Sequence, residues 1–218
     1  MLRENIARVE DRIENAVRRA GRGRSDVTLV AVTKKFPARV IREAFDLGLR
    51  VFGENYVQEF ESKHGEVKDL AGAEFHLIGH LQSNKSRVAG DLFSAIETVD
   101  SPKLAKRLDG GGKAIEVMIE VKLSEEETKA GAAPEELPAL IDCIRGCANL
   151  RLTGLVTMPP WNDDPEVTRP YFRRLAELAR AHSLPKLSMG MSHDFEAAID
   201  EGATHIRVGT ALFGRRPK

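Results

Sequence analysis

Two adjacent lysines, Lys34 and Lys35, follow Val27 to Thr33, an apolar and β-branched run of the kind that forms a parallel strand buried on both faces. A lysine at the end of such a strand is partly desolvated, which lowers its pKa and lets the neutral amine attack a carbonyl carbon. Lys34 is therefore the Schiff-base candidate, set against the plainer reading of a solvated lysine pair opening a loop. Further on, Gly53 permits close backbone approach, and Asn55 offers both a donor and an acceptor, or else caps the next helix. His76 to Lys85 is dense in hydrogen-bonding groups, with His76 itself read as a satisfied core histidine. Ser192 lies just before a helix start, and Gly209 and Thr210 follow the last strand. Free N–H groups, a hydroxyl and a close-approach glycine suit a phosphate; capping by Ser192 and an ordinary turn at Gly209–Thr210 are the alternatives. Arg207 lies within a strand, and a guanidinium that points inward needs a partner, either a ligand ring nitrogen or a nearby carboxylate. The histidines lack the spacing and carboxylate companions of a zinc site, so no metal is expected.

The elements that must position these residues alternate. A helical pattern through Ile6, Val9, Ile13, Val17 and Ala20 stops at Gly21. Strands are then expected at Val27 to Thr33, Arg50 to Phe52, Phe75 to Ile78, Ala95 to Val99, Ile115 to Val121, Leu150 to Thr157, Leu187 to Met189 and His205 to Val208. Between them fall helical patterns: Pro37 to Leu47, Tyr56 to Leu70, Lys85 to Ala89, Pro102 to Leu108, Pro134 to Cys147, Asp164 to Ala181 and Asp194 to Asp200, with a terminal turn at Thr210 to Phe213. Eight β-then-α units predict a single closed (β/α)8 TIM barrel with an extra N-terminal helix, one domain over residues 1–218. An open doubly wound sheet is the alternative, weakened because no Gly-x-Gly-x-x-Gly follows the first strand. In such a barrel the chemistry gathers at the carboxyl ends of the strands, with phosphate at strands seven and eight, which is where the singled-out residues fall.

The bulk numbers exclude several classes of function. Thirty-three basic residues balance thirty-three acidic ones in 218, leaving no electrostatic footprint for nucleic acid. No apolar run is long enough to span a bilayer, and the charged N-terminus is unlike a signal peptide, so a soluble cytoplasmic protein is expected. Cys143 and Cys147, four apart in a helical pattern, read as neighbouring buried thiols rather than a disulfide.

Across nearly the whole chain, these residues resemble the pyridoxal-phosphate homeostasis protein family, also called YggS or PROSC-like. The segments that carry the likeness are LVAVTKKFP (Leu29 to Pro37), FGENYVQE (Phe52 to Glu59), HLIGHLQSNKSR (His76 to Arg87), TVDSPKLAKRL (Thr98 to Leu108), TKAG (Thr128 to Gly131), GLVTMPP (Gly154 to Pro160), LSMGMSHDFEAAI (Leu187 to Ile199) and IRVGTALFG (Ile206 to Gly214). The resemblance implies an alanine racemase N-terminal-like barrel of PLP fold type III without the C-terminal β domain. It implies pyridoxal 5′-phosphate (PLP) as cofactor, with an internal aldimine on Lys34, Arg207 facing the pyridine nitrogen, and Ser192, Gly209 and Thr210 holding the phosphate. Asn55 completes the cofactor-binding set. The chain departs from the family pattern at Lys122, often asparagine, and at Val156, often methionine.

The resemblance thus implies a non-catalytic carrier and buffer of PLP, a monomer, with amino acids and PLP-dependent apoenzymes as further candidate partners. An amino-acid racemase is the first alternative. Two-base racemisation needs a second acid or base, which in the racemase is a tyrosine from a further domain and the partner subunit. Neither Tyr56 nor Tyr171 is expected to serve. A Schiff-base aldolase is the second alternative, but in that class the reactive lysine usually lies on a later strand.

Overall fold

A chain that alternates short parallel strands with amphipathic helices eight times can remove both sheet edges by closing. In the computed structural model, which describes residues 1–124 and 130–215, it does so. The strands are β1 (Thr28–Val32), β2 (Val51–Glu54), β3 (Glu74–Leu77), β4 (Ala95–Val99), β5 (Ile115–Glu120), β6 (Leu150–Val156), β7 (Lys186–Met191) and β8 (His205–Val208). They pair in sequence order, and β8 returns to β1 through Thr28–His205, Leu29–Ile206 and Val30–Arg207. Closure excludes the doubly wound alternative.

Helix α1 (Leu2–Arg19) precedes the barrel; α2 (Ala38–Asp46), α3 (Val57–His64), α4 (Ser86–Leu92), α5 (Pro102–Asp109), α6 (Leu137–Arg145), α7 (Arg169–Ala181), α8 (Phe195–Asp200) and α9 (Thr210–Phe213) follow the strands in turn. The extra helix α1 buries Val9, Ile13, Ala16 and Val17 along one face. Arg12 lies over the Phe195 ring and grips Glu196 at 2.7 Å, and Asn5 donates to the Leu212 carbonyl at 2.7 Å, so α1 braces α8 and α9.

Two buried layers follow from the alternation of side chains along each strand. Outward-facing residues meet the helices in one continuous apolar cluster, where the Phe60 ring lies 4.7 Å from Phe75 and 4.9 Å from Phe93. The inward set is mixed: Val30, Val32 and Met118 share the lumen with His76, Glu97, Ser188, His205 and Arg207, all buried. Ser188 on β7 bonds Glu97 on β4, two strands that are not neighbours, so their side chains meet across the lumen.

Several element boundaries differ from expectation, and two of the differences shape the site. Strand β2 runs on through Gly53 to Glu54, turning Glu54 toward α3 and Asn55 toward the barrel mouth. Strand β7 continues to Met191, where Gly190 takes φ +88° and a Cβ would lie 2.5 Å from that of Ala198. Sequence pattern reads glycine as a stop, whereas here it permits close helix–strand packing. Helix α3 ends at His64 before Gly65, short of the expected Leu70, and turns complete the segment. Cys143 and Cys147 are free and half-buried rather than fully buried. Among the described residues no helix is long and apolar enough to cross a membrane, and no cluster suited to a metal occurs.

Candidate functional site

The lysine pair sits on a tight turn in which the Phe36 N–H donates to the Thr33 carbonyl at 3.0 Å. Lys63 of α3 reaches up from beneath. Its buried ammonium donates to the carbonyls of Thr33 (3.2 Å) and Phe36 (3.0 Å) and pairs with Glu54 (2.8 Å) and Glu59 (3.0 Å). Thr33 Oγ1 donates to Glu54 at 2.7 Å, and Glu59 accepts the Lys35 N–H at 2.6 Å. Burial pushes the Glu54 carboxyl up while Lys63 and Thr33 pull it down. The turn is thus fixed on both sides. Lys34 is half-buried and faces the barrel mouth, whereas Lys35 is exposed.

Lys35 also has φ +65°, a conformation that costs an L-residue about 1–2 kcal/mol. Glycine there removes that cost and adds about 0.5–1 kcal/mol of backbone entropy loss, while the N–H to Glu59 survives. Lys35→Gly is expected to stabilise the chain by about 0.5–1 kcal/mol. A denaturation midpoint that falls instead would show that the Lys35 side chain contributes to folding.

A cavity of about 260 Å³ opens at the carboxyl ends of the strands, and all six candidates, Lys34, Asn55, Ser192, Arg207, Gly209 and Thr210, line it. Asn55 does not cap α3: the residue at that position is Tyr56, and the buried Asn55 Oδ1 has no partner among the described residues. Ser192 does not cap α8 either. Its Oγ accepts the N–H groups of Gly209 (3.2 Å) and Ala211 (3.3 Å), tying the loop after β7 to the first turn of α9. Arg207, 4% exposed, donates to Ser188 Oγ at 2.7 Å and to the Thr157 carbonyl at 2.9 Å. Its first partners are therefore a hydroxyl and a carbonyl, not the carboxylate expected as the plainer reading; that carboxylate, Glu97, stands one bond further, 2.5 Å from Ser188.

Glu97 also bonds His76 Nδ1 at 2.8 Å, so a chain of buried groups (Arg207, Ser188, Glu97, His76) supports the floor of the cavity. His76 is satisfied, as expected of a core histidine. Burial works against its charge, but Glu74 and Glu97 hold it up to about 9; burial likewise opposes the Glu97 charge, but His76 and Arg207 hold that carboxyl down to about 2. Burial pushes His205 down to about 4, against the pull of Glu97.

The lining also includes Trp161, His193, Met158 and Met191, which the residue-by-residue reading passed over. His193 lay inside the LSMGMSHDFEAAI segment, so the signal was present there; its Nε2 meets the Asp163 carbonyl at 2.9 Å, and its ring lies 4.7 Å from Trp161. Met191 shares that segment and Met158 lies in GLVTMPP; nothing local marks Trp161, which comes from the loop after β6. Of the TKAG segment, Thr128 and Lys129 fall outside the described residues. Gly131 is described, and a Cβ there would lie 2.8 Å from the Lys122 nitrogen, so only glycine lets this return segment lie against the end of β5.

The profile of the alanine racemase N-terminal domain family matches residues 5–217. Pyridoxal phosphate homeostasis proteins from Aquifex aeolicus and Escherichia coli are 45% and 41% identical, covering 98% and 97% of this chain and 97% and 95% of their own. The chain belongs to the pyridoxal phosphate homeostasis protein family. Among solved structures of similar proteins, PipY of Synechococcus elongatus superposes with a TM-score of 0.87 without PLP and 0.84 with PLP bound, at 38% identity and over 98% of this chain and 100% of that one. Alanine racemase of Corynebacterium glutamicum, 22% identical, shares the barrel fold at a TM-score of 0.70, over 96% of this chain and 60% of its own length.

Proposed function

We propose that this protein binds PLP covalently through Lys34 and serves as a carrier and buffer of the cofactor within the cytoplasm, as a single-domain monomer. One observation carries the reading: six residues scattered from 34 to 210 in the sequence converge on one cleft whose chemistry matches the three ends of the cofactor. Among the described lining residues Lys34 supplies the one primary amine, for the aldehyde. Arg207 stands ready for the ring nitrogen; for the phosphate, Ser192 and Thr210 offer hydroxyls, Thr210 its backbone N–H, and Gly209 close approach, with Ser192 Oγ already accepting the Gly209 and Ala211 N–H groups. The orphaned Asn55 Oδ1 marks a place where a bound polar group completes the hydrogen bonding. The PLP-bound state of PipY and the naming of the relatives support the same reading.

When bound, the cofactor supplies an aldehyde that condenses with amines and a ring that can draw in electrons. This chain's residues would leave that ring weakly activated. An arginine keeps its protons, so Arg207 would donate to a ring nitrogen without protonating it, and Ser188 and the Thr157 carbonyl fix its aim. Such an arrangement suits storage and delivery of the cofactor, with free amino acids and PLP-dependent apoenzymes as the recipients.

Incubation with PLP, borohydride reduction and peptide mapping test the binding, with the phosphopyridoxyl group expected on the peptide that contains Lys34. Racemisation is the competing activity. It needs a second acid or base opposite Lys34, and neither Tyr56 nor Tyr171 lines the cleft, while His193 is engaged with Asp163. L-alanine incubated with the PLP-loaded protein is expected to stay L-alanine by chiral chromatography. Turnover on the order of 10 s⁻¹ would overturn the carrier reading.

A further inference from the structure

Beside the Lys34 cleft lies a second cavity of about 460 Å³, and Met158, Trp161 and Met191 line both. The two are neighbouring rooms divided by soft apolar side chains. The second is apolar on that side and polar on the other, where Glu120, Lys122 and His80 form its wall.

Glu120 is the unusual member. It ends β5 with its side chain toward the barrel mouth, it is only 3% exposed, and its carboxyl has no hydrogen-bond or ion-pair partner among the described residues. Arg207 and His80 lie near enough to favour its charge and Asp100 near enough to oppose it, yet neither cation bonds it: Arg207 is aimed at Ser188 and the Thr157 carbonyl, and His80 faces Asp100 at 3.7 Å. Burial outweighs them and pushes the Glu120 carboxyl up. The Glu120 carboxyl is not sealed in protein but opens onto the cavity, and a carboxylate held in so confined an opening without a protein partner gains most from a cation that enters it. Lys122, the departure from the family pattern, places a positive charge on the same wall.

We propose that this second cavity is a binding site for a free α-amino acid with an apolar side chain. Its ammonium meets Glu120, its carboxylate lies on the Lys122 side, and its side chain rests against Met158, Trp161 and Met191. The inference rests on the reading of the Lys34 cleft as the PLP site, which gives an incoming amine its reason to wait next door. It names the amino acid as the small recipient that the neighbouring cofactor meets.

Trp161 is the sole tryptophan of the chain and lies in the wall shared by the two cavities, so its fluorescence in the apo protein, where no aldehyde can react with the ligand, reports occupancy. The acid and amine companions together with Glu120→Gln assign the response to this cavity. L-leucine is titrated into the apo protein and the PLP-loaded protein, with 4-methylpentanoate (no ammonium) and isoamylamine (no carboxylate) as companions. Saturable quenching or shift is expected for leucine, weaker for isoamylamine and absent for 4-methylpentanoate. Glu120→Gln, which keeps the shape and removes the charge, should weaken leucine binding at least tenfold while holding its thermal midpoint. Binding of 4-methylpentanoate equal to that of leucine, no saturable response to leucine in either form, or undiminished affinity in Glu120→Gln would overturn the proposal. Because the ligand series is read on the unmodified chain, the outcome does not depend on the variant folding. PLP loading is followed separately by its visible absorption. Leucine binding to a chain that takes up no PLP would refute the cofactor reading and leave this site standing.

Discussion

Lys34→Ala is expected to abolish both the visible absorption of protein-bound PLP and the borohydride-fixed adduct, while Lys35→Ala retains them. The two lysines differ in sequence by one position but in geometry completely. Lys34 leaves the turn toward the cleft, half-buried among Val32, Asn55 and Arg207; Lys35 is exposed, and its backbone N–H is tied to Glu59. Lys63, Glu54 and Glu59 hold the turn from the helix side through its carbonyls and one N–H, so removing either lysine side chain leaves the turn itself intact. Neither alanine variant touches the buried Lys63–Glu54 pair that holds the turn, and both should fold. An adduct that moves to Lys35, or that persists on another lysine with unchanged absorption, would refute the assignment. Residual noncovalent affinity in Lys34→Ala is compatible with it, since Arg207, Ser192 and Thr210 are untouched.

The identity of that lysine was legible because strand periodicity puts a register on the chain. Val30, Val32 and Lys34 share one face, and once closure of the barrel is granted that face is the lumen. Arg207, on the same face of β8, was legible for the same reason. The clamp beneath Lys34 was not: Glu54 stands beyond the strand end that pattern suggests, and Lys63 reads as one more charge in a polar helix. Burial of both ends of that pair is a tertiary fact, created when β2 runs on through Gly53 and packs α3 against the turn. The second cavity was invisible for a related reason. Its walls come from β5, from the loop after β6 and from the end of β7, so no single segment carries its signature, and Lys122 stood out only as a departure from pattern. The position of Ser192 is legible but its partner is not, because a hydroxyl before a helix suggests its own helix, whereas here it accepts from the first turn of the helix after the next strand.

Glu97→Gln is expected to destabilise the chain by about 3–5 kcal/mol, the usual cost of removing one partner from a buried ion pair. The carboxylate is wholly buried, with His76 Nδ1 at 2.8 Å on one oxygen and Ser188 Oγ at 2.5 Å on the other, and Ser188 in turn accepts from Arg207. Glutamine preserves the shape and one acceptor but takes from two buried cations the carboxylate they share. His76 can respond by giving up its proton; Arg207 cannot. Glu74, which also favours the His76 charge, substitutes only in part, because it is 61% exposed and 3.6 Å from His76 Nε2, where water screens it. The pH dependence follows from the directions of the shifts. The Glu97 carboxyl is depressed to about 2, so its contribution is present above the ordinary carboxylate range near 4.5 and is lost as pH falls toward 2. His76 is raised to about 9, so its contribution is complete below the ordinary value of 6.5 and is lost as pH rises through 9. The pair therefore stabilises the fold most between about 4.5 and 6.5, and stability of the unmodified chain should decline from 6.5 to 9. In Glu97→Gln that decline should flatten, and the His76 ring followed by NMR should titrate well below 9. Equal midpoints for the two chains across this range would mean that Arg207 and His76 draw their compensation from elsewhere, and that Arg207 is aimed at the cleft by Ser188 and the Thr157 carbonyl alone.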